Sequence, residues 1–181
     1  MKMIRNEEAQ NSMSEHKKLE PGAYVGTITN VEDCPKGFNP RKPDAGDYLK
    51  IEYDISEGPY AGNYKDLFDR YGFWGGVFYR SYKEDNINMF INFIGTVEKS
   101  NPRFSWDWSA EEDEKKLIGC KIGVVLEAEK YLGMDGSEKQ KMKVKKVITA
   151  DEVKKYGKKP EPAVIVVSSD SPEQIEEDFP A

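Results

Sequence analysis

The chain has 181 residues, with 27 Lys and Arg against 33 Asp and Glu, a formal net charge of −6. That length allows one domain plus tails. No apolar run reaches the roughly 18 residues that a membrane span needs, and the polar first 20 residues lack the apolar stretch of a secretory signal. The two cysteines, Cys34 and Cys120, are too few for a disulfide framework and point to a reducing cytoplasm. The one histidine, His16, sits in a segment that reads as disordered, which removes most His-based triads and His/Cys zinc sites. The negative charge is unevenly spread: residues 160–181 hold six acidic residues and no basic one, while the other 159 residues carry 27 of each sign. A neutral body with an anionic tail does not exclude a nucleic-acid partner.

Residues 1–20 read as a flexible leader, 21–156 as the domain and 157–181 as an acidic, mostly disordered tail. The first strand is predicted over 22–33 (GAYVGTITNVED), with Gly26 marking a bend or bulge. Residues 34–46, with three prolines and two glycines, form a long loop. Residues 47–56 alternate cleanly, with Leu49, Ile51, Tyr53 and Ile55 inward and Tyr48, Lys50, Glu52 and Asp54 outward. After a tight connection, EGPYAG, the spacing suggests a third strand over 63–72, although adjacent Leu67 and Phe68 cannot both face inward in it. Residues 73–79 read as irregular.

From Ser81 the period becomes helical. Ile87, Phe90, Ile91 and Ile94 share a face and Gly95 serves as C-cap. Ser109 and Glu112 make a capping-box pattern that opens a short helix to Leu117. The fourth strand is expected over 121–131, a turn carries Gly133 and Asp135-Gly136, and the fifth strand runs over 139–149. In that strand Met142, Val144, Lys146 and Ile148 share one face, and Lys139, Lys141, Lys143, Lys145 and Val147 the other. A turn or short helix over 151–156 ends the domain, and 164–167 could add an edge strand.

Five strands with a helix between the third and fourth predict an all-β fold of small helical content, a five-stranded OB-fold-like barrel. Such barrels bind oligonucleotides across strands two and three, flanked by the 1–2 and 4–5 loops. Two features of the residues bear on this. Lys139, Lys141, Lys143 and Lys145 recur at a spacing of two, about 6–7 Å apart along one strand face, a scale that can track phosphates; the competing reading is a solvated edge, with Glu127 and Glu129 as cross-strand partners. Basic and aromatic residues also interleave: Lys36, Phe38, Arg41 and Lys42 in the 1–2 loop, then Tyr48, Lys50, Tyr64, Lys65, Arg70, Tyr71 and Trp74. Single-strand binders need cations for phosphates and flat rings for bases, while ordinary core and rim packing competes as the reading of any one ring.

Catalytic and metal signals are weak, and no cofactor is expected. The acids Glu111, Glu112, Asp113 and Glu114 fit a helix start, Asp66 and Asp69 would point to opposite faces of a strand, and Gly72, Gly75 and Gly76 are not followed by the Lys-Ser/Thr of a phosphate loop.

Residues 19–153 resemble a family of small phage and prophage proteins regarded as single-stranded-DNA-binding. The likeness lies in LEPGAYVGTITNVED, in EGPYAG ahead of an aromatic segment, and in LIGCKIGVVLEAEKYLGMDGSEKQKMKVKKV. It implies an OB-like fold and a role in DNA replication or recombination in a bacterial host's cytoplasm. The tail is similar to the tip of bacterial single-strand-binding proteins: the acidic run, Asp178, Phe179 and Pro180 match, with Ala181 in place of the final aromatic. This implies replication or recombination proteins as partners of the tail. The expectation is a non-enzymatic, sequence-tolerant binder of single-stranded DNA, with no membrane partner and with homo-oligomerisation left open. The alternatives are an OB-fold protein-interaction module of a phage replication complex that binds no DNA, and a nuclease using Asp66, Asp69 or Glu111.

Overall fold

The architecture follows from one long strand that changes partners. In the computed structural model, which describes residues 18–109, 111–156 and 163–164, β1 spans Gly22–Cys34. Its first half, Gly22 to Thr27, pairs antiparallel with β4 (Lys121–Leu132). From Gly26 onward it pairs antiparallel with β2 (Tyr48–Ile55), with an irregularity between Ile28 and Asn30. Gly26 sits at the crossover, where a Cβ would come within 3.0 Å of the Asp54 carbonyl oxygen, so the bend read from the sequence falls where the two partners crowd the strand. β3 (Val77–Ser81) pairs with β2, and β5 (Glu138–Ile148) with β4. The result is a five-stranded antiparallel sheet in the order β3-β2-β1-β4-β5. A short β6 (Ala163–Val164) runs parallel to the far half of β4; the rest of the edge strand expected over 164–167 lies outside the described residues.

The expected OB-fold-like barrel is not closed: among the described residues no strand pairing joins β3 to β5. Inside the curl, Ile28, Val31, Leu49, Ile51, Tyr53, Ile55, Phe78, Ile122, Val124 and Leu126 form the core. The helix expected between the third and fourth strands is present as α2, after α1 described below, over Ile87–Ser100. Its buried face is Phe90, Phe93, Ile94 and Val97, and Ile91 is exposed. Gly95 lies within the helix, which ends at Asn101, because burying Phe93 and Val97 carries the helical face past the glycine. No described helix is long and apolar enough to cross a membrane.

The third strand was misplaced. Residues 63–72 form a helix, α1 (Asn63–Tyr71), and the strand lies in 77–81, a stretch that overlaps the one read as irregular. Helical spacing resolves the Leu67–Phe68 conflict, and the pairs Lys65–Asp69 (2.9 Å) and Asp66–Arg70 (3.2 Å) are i,i+4 ion pairs. Gly72, at φ 70°, closes the helix by donating its N–H to the Phe68 carbonyl at 2.7 Å. Its start is capped from β2: the Asp54 carboxylate accepts from the Tyr64 and Lys65 backbone N–H groups at 2.9 and 3.2 Å. The expected capping box at Ser109–Glu112 does not form. Ser109 donates to Asp107, Glu112 accepts from the Asp107 N–H, and a 3-10 turn over Glu114–Leu117 is capped by Asp113. At the other end of the domain, α3 (Ala150–Lys155) matches the short helix expected there.

The face assignment of β5 holds only in part. Met142 and Val144 pack on the core. The β4–β5 register then jumps from Leu126–Val144 to Val125–Lys146, so Lys145 is an extra residue. Beyond it the alternation flips. Val147 packs on the core, Lys146 lies over the Tyr156 ring, and Ile148 meets Val153 of α3 beside Gly123.

Gly76 is the tightest point between α1 and the sheet. A Cβ there would lie 2.2 Å from the Tyr53 carbonyl oxygen and 2.6 Å from the Tyr64 ring, whereas at Gly75 the nearest atom would be 3.5 Å away. Gly76→Ala is expected to lower stability by about 1–3 kcal/mol through overpacking, with Gly75→Ala within about 0.5 kcal/mol of the parent. Urea unfolding of the two variants measures the difference.

Candidate nucleic-acid interface

The β1–β2 loop is a folded element. Phe38 N–H donates to the Pro35 carbonyl at 3.0 Å, Lys36 N–H to Asp47 Oδ1 at 2.9 Å and Arg41 N–H to Asn39 Oδ1 at 3.0 Å. The Gly46 backbone lies directly against Pro35 and Lys36, where a Cβ would come within 2.5 Å. This closure sets Phe38, 42% exposed, edge-on to Tyr48 at 5.6 Å. Tyr48 in turn meets Tyr79 of β3 at 5.5 Å. Tyr48 and Tyr79 lie on the face of β2 and β3 opposite the core residues Leu49, Ile51 and Phe78. Lys36 and Arg41 are exposed around this run and Lys42 is half-buried. Lys50, on the same face, is 3.8 Å from Glu52. The structure thus brings together Lys36, Phe38, Tyr48 and Lys50, but Tyr48 is buried, so Phe38 and not Tyr48 presents ring surface here.

A second group meets where the sheet stays open. A cleft of about 680 Å³ lies between β3 and β5, roofed by α1 and the segment that follows it. Of the sequence candidates it gathers Lys50, Tyr64, Trp74, Lys141, Lys143 and Lys145. Tyr64 is a core ring, with its hydroxyl 3.3 Å from that of Tyr53; burial pushes its phenol up to about 12 and that of Tyr53 well above the ordinary value. Trp74 donates its indole N–H to the Gly76 carbonyl at 3.2 Å and packs on Phe68. Lys65 and Arg70 are ion-paired along α1, and Tyr71 is exposed at its end. Asp66 and Asp69, expected to diverge on a strand, are instead near neighbours on the helix, each bound to its own base. Among the described residues no group of three acidic, His or Cys side chains could hold a metal.

The lysine row takes the less functional of its two readings for part of its length. Lys141 lies 3.7 Å from Glu129 and Lys145 3.9 Å from Glu127, both cross-strand acids of β4. Lys139 is exposed at the hairpin end, while Lys143 is half-buried at the cleft.

Arg80, Asn63, Tyr79 and Phe73 belong to these surfaces and were not singled out from the sequence, whereas Glu129 was expected as a cross-strand partner of the lysine row. Arg80 points to the core side of β3, its guanidinium carbon 4.9 Å from the Phe78 centroid and 5.6 Å from that of Phe93. It donates to the Tyr79 carbonyl at 2.8 Å, and burial pulls it down to about 10, so it remains a cation at neutral pH. The signal was available: once 77–81 is a strand paired in register with β2, Arg80 falls on the inward side with Phe78. Asp178, Phe179 and Pro180, expected to bind partners, lie outside the described residues. The chain matches no protein-family model and no curated protein.

Glu129 is only 3% exposed and Lys141 is its one cation within 4.0 Å among the described residues. Lys141→Gln is therefore expected to destabilise the fold by about 1–3 kcal/mol, the cost of a buried carboxylate left without its counter-charge. Adding Glu129→Gln should restore most of the loss. A double-mutant cycle in urea reads the coupling.

Proposed function

We propose that the chain is a sequence-tolerant single-stranded-DNA-binding protein of phage type, non-enzymatic and acting in DNA replication or recombination. An OB-fold is a partly open five-stranded barrel, and a curled antiparallel sheet in the order β3-β2-β1-β4-β5, with a helix between β3 and β4, supports that reading. The observation that carries the function is the ring surface of exposed Phe38 and half-buried Tyr79, held on either side of buried Tyr48 on the outer face of β2 and β3 and bordered by Lys36, Arg41, Lys42 and Lys50. Bases stack on rings regardless of sequence while the cations meet phosphates, and in an OB-fold this is the face where oligonucleotides lie. The likeness of residues 19–153 to phage single-strand binders points the same way. The ion pairing of Lys141 and Lys145 shifts the expected phosphate contacts from the β5 row toward the β1–β2 loop.

With three or four phosphates neutralised, the affinity for oligo-dT should fall with salt at a log–log slope of about −2 to −3. Phe38→Ala should weaken binding by about 1–3 kcal/mol with no loss of fold. Fluorescence titration from 50 to 300 mM salt measures both (affinity falling by roughly 40- to 200-fold over that range). A flat salt dependence would leave the interaction-module reading in its place.

The tail adds a separate expectation. Removing residues 170–181 takes away five carboxylates. If they compete with DNA for the cationic surface, the truncated chain should bind oligo-dT more tightly at low salt, and the gain should vanish as screening shortens the reach of the charges. Unchanged binding at every salt concentration would leave the tail no part in affinity.

A further inference from the structure

The cleft between β3 and β5 has features that the outer face does not share. Its walls carry aromatic and aliphatic side chains, Trp74, Tyr64 and Phe78 with Met142 and Val144 of β5, and lysines including Lys50, Lys141, Lys143 and Lys145 also line it. Two polar side chains that line it are buried and incomplete. Asn63, 6% exposed, has an amide Nδ2 with no hydrogen-bond acceptor, and Glu129, 3% exposed, has an Oε2 with no donor. Lys141 stands 3.7 Å from that oxygen, too far for a hydrogen bond. Buried polar groups in folded proteins are normally paired, so two orphans in one cleft mark a place for a ligand. Arg80, also lining the cleft, is a cation held among rings, with the Tyr79 carbonyl as its one hydrogen-bond partner among the described residues. The cleft's volume, about 680 Å³, falls within the range of about 300–1,000 Å³ typical of small-molecule sites.

We propose that this cleft is a pocket for a single nucleotide with a preference for guanine, its base between the aromatic and aliphatic walls and its phosphate toward Arg80. The chemistry selects the class. An acyl chain would leave the amide, the carboxylate and the guanidinium unsatisfied, and a simple organic acid would serve Arg80 alone. A nucleoside monophosphate supplies a flat ring, an edge with donors and acceptors, and an anion. The chemistry also ranks the bases. A carboxylate accepts on two oxygens, and guanine alone carries two adjacent N–H donors, at N1 and N2, next to a carbonyl, O6, that can accept from the Asn63 amide. Adenine, cytosine and thymine each offer the carboxylate one donor. The inference rests on the single-strand reading for its physiological ligand: the chain would bind any strand over β2 and β3 and prefer one base at the cleft.

The test uses the full chain and two sets of probes. Tryptophan fluorescence and equilibrium dialysis follow dGMP, dTMP and deoxyribose 5-phosphate; a second titration compares oligo-dT with the same oligomer carrying one central dG. The pocket predicts dGMP at least tenfold tighter than dTMP or deoxyribose 5-phosphate, and a gain of fivefold or more from the single dG. Glu129→Gln, isosteric and without the carboxylate, should erase the ranking of guanine over thymine. Arg80→Gln should weaken dGMP tenfold and leave deoxyguanosine unchanged. Should either variant fail to fold, photocrosslinking of 8-azido-dGMP to the parent chain decides, with labelled peptides expected within 63–80 or 138–148. Labels elsewhere, or dGMP no tighter than deoxyribose 5-phosphate, overturn the pocket. If oligo-dT binds with its salt slope while dGMP and dTMP stay within twofold of each other, the pocket falls and the single-strand reading stands. If dGMP binds and oligo-dT does not, the single-strand reading falls and the pocket remains as a mononucleotide site.

Discussion

The backbone hydrogen bonding of β1 governs everything else in this molecule. A strand has two edges, and β1 spends one edge of its first half on β4 and the opposite edge of its second half on β2, with the change made around Gly26. Such a strand must coil, because the two partners pull its pleat in different directions within a few residues. Coiling brings the ends of the sheet, β3 and β5, toward one another around a shared core, and their facing edges define the cleft. Gly26 lets the strand turn there without a Cβ pressed to 3.0 Å from the Asp54 carbonyl oxygen. The helix α2 then fills one end of the curl with Phe90, Phe93, Ile94 and Val97, and α1, capped from β2 through Asp54, sits where the sheet fails to close.

Charge is distributed with the same economy. On β5 the lysines that alternate along the exposed side are largely balanced by acids one strand away, Glu127 and Glu129. The Lys145–Glu127 pair lies nearer the surface and contributes little to stability, whereas Lys141 offsets the charge of the buried Glu129, and together they decide which cations stay available. Lys36 and Arg41, exposed on the folded β1–β2 loop, and Arg80, enclosed among rings, are the cations with the strongest structural reason to meet an anion. The first two sit in water beside Phe38, where a flexible strand can be tracked. Arg80 is half-buried against the Phe78 and Phe93 rings, and a phosphate there meets its charge with less screening than in open water. Two different surfaces thus share β2 and β3: the outer face beside Phe38 and the cleft beside Arg80.

What the sequence disclosed depended on whether local pattern and tertiary demand agreed. β2 was legible because a strand buried on one face alternates, and Leu49, Ile51, Tyr53 and Ile55 did. The β4–β5 hairpin was legible from Gly133 and Asp135-Gly136, and Asp135 accepts from Ser137 N–H in the turn they mark. α1 was missed because a position in the expected order of a β-barrel outweighed the i,i+4 charges of Lys65–Asp69 and Asp66–Arg70, which were present in the residues. β3 was missed with it, and Arg80 with β3, since an arginine in an irregular stretch carries no facing. The bulge at Lys145 had no local signature at all: it exists in the mismatch between two paired strands. Among the site residues, the sequence could suggest that aromatic and basic residues converge on strands two and three. It could not say that Tyr48 and Tyr64 would be spent on packing, because a ring's availability depends on neighbours distant in the chain.

The same reasoning explains why the cleft keeps costly groups. A closed barrel would pair β3 with β5 and give their edges complete hydrogen bonding, and Met142, Val144 and Phe78 could then bury one another without Asn63, Glu129 or Arg80 nearby. Instead, Gly76 brings the chain between Tyr53 and Tyr64 so tightly that no side chain fits, and the turn places Trp74 at the opening. The open edge is therefore built by specific residues: one glycine without room for a substituent, one capped helix and three polar side chains held at apolar walls. Each lowers the stability that simple closure would give. Arg80 still packs on the Phe78 and Phe93 rings and Glu129 is still offset by Lys141, but the Asn63 amide and one Glu129 oxygen gain no hydrogen bond from the packing of the sheet.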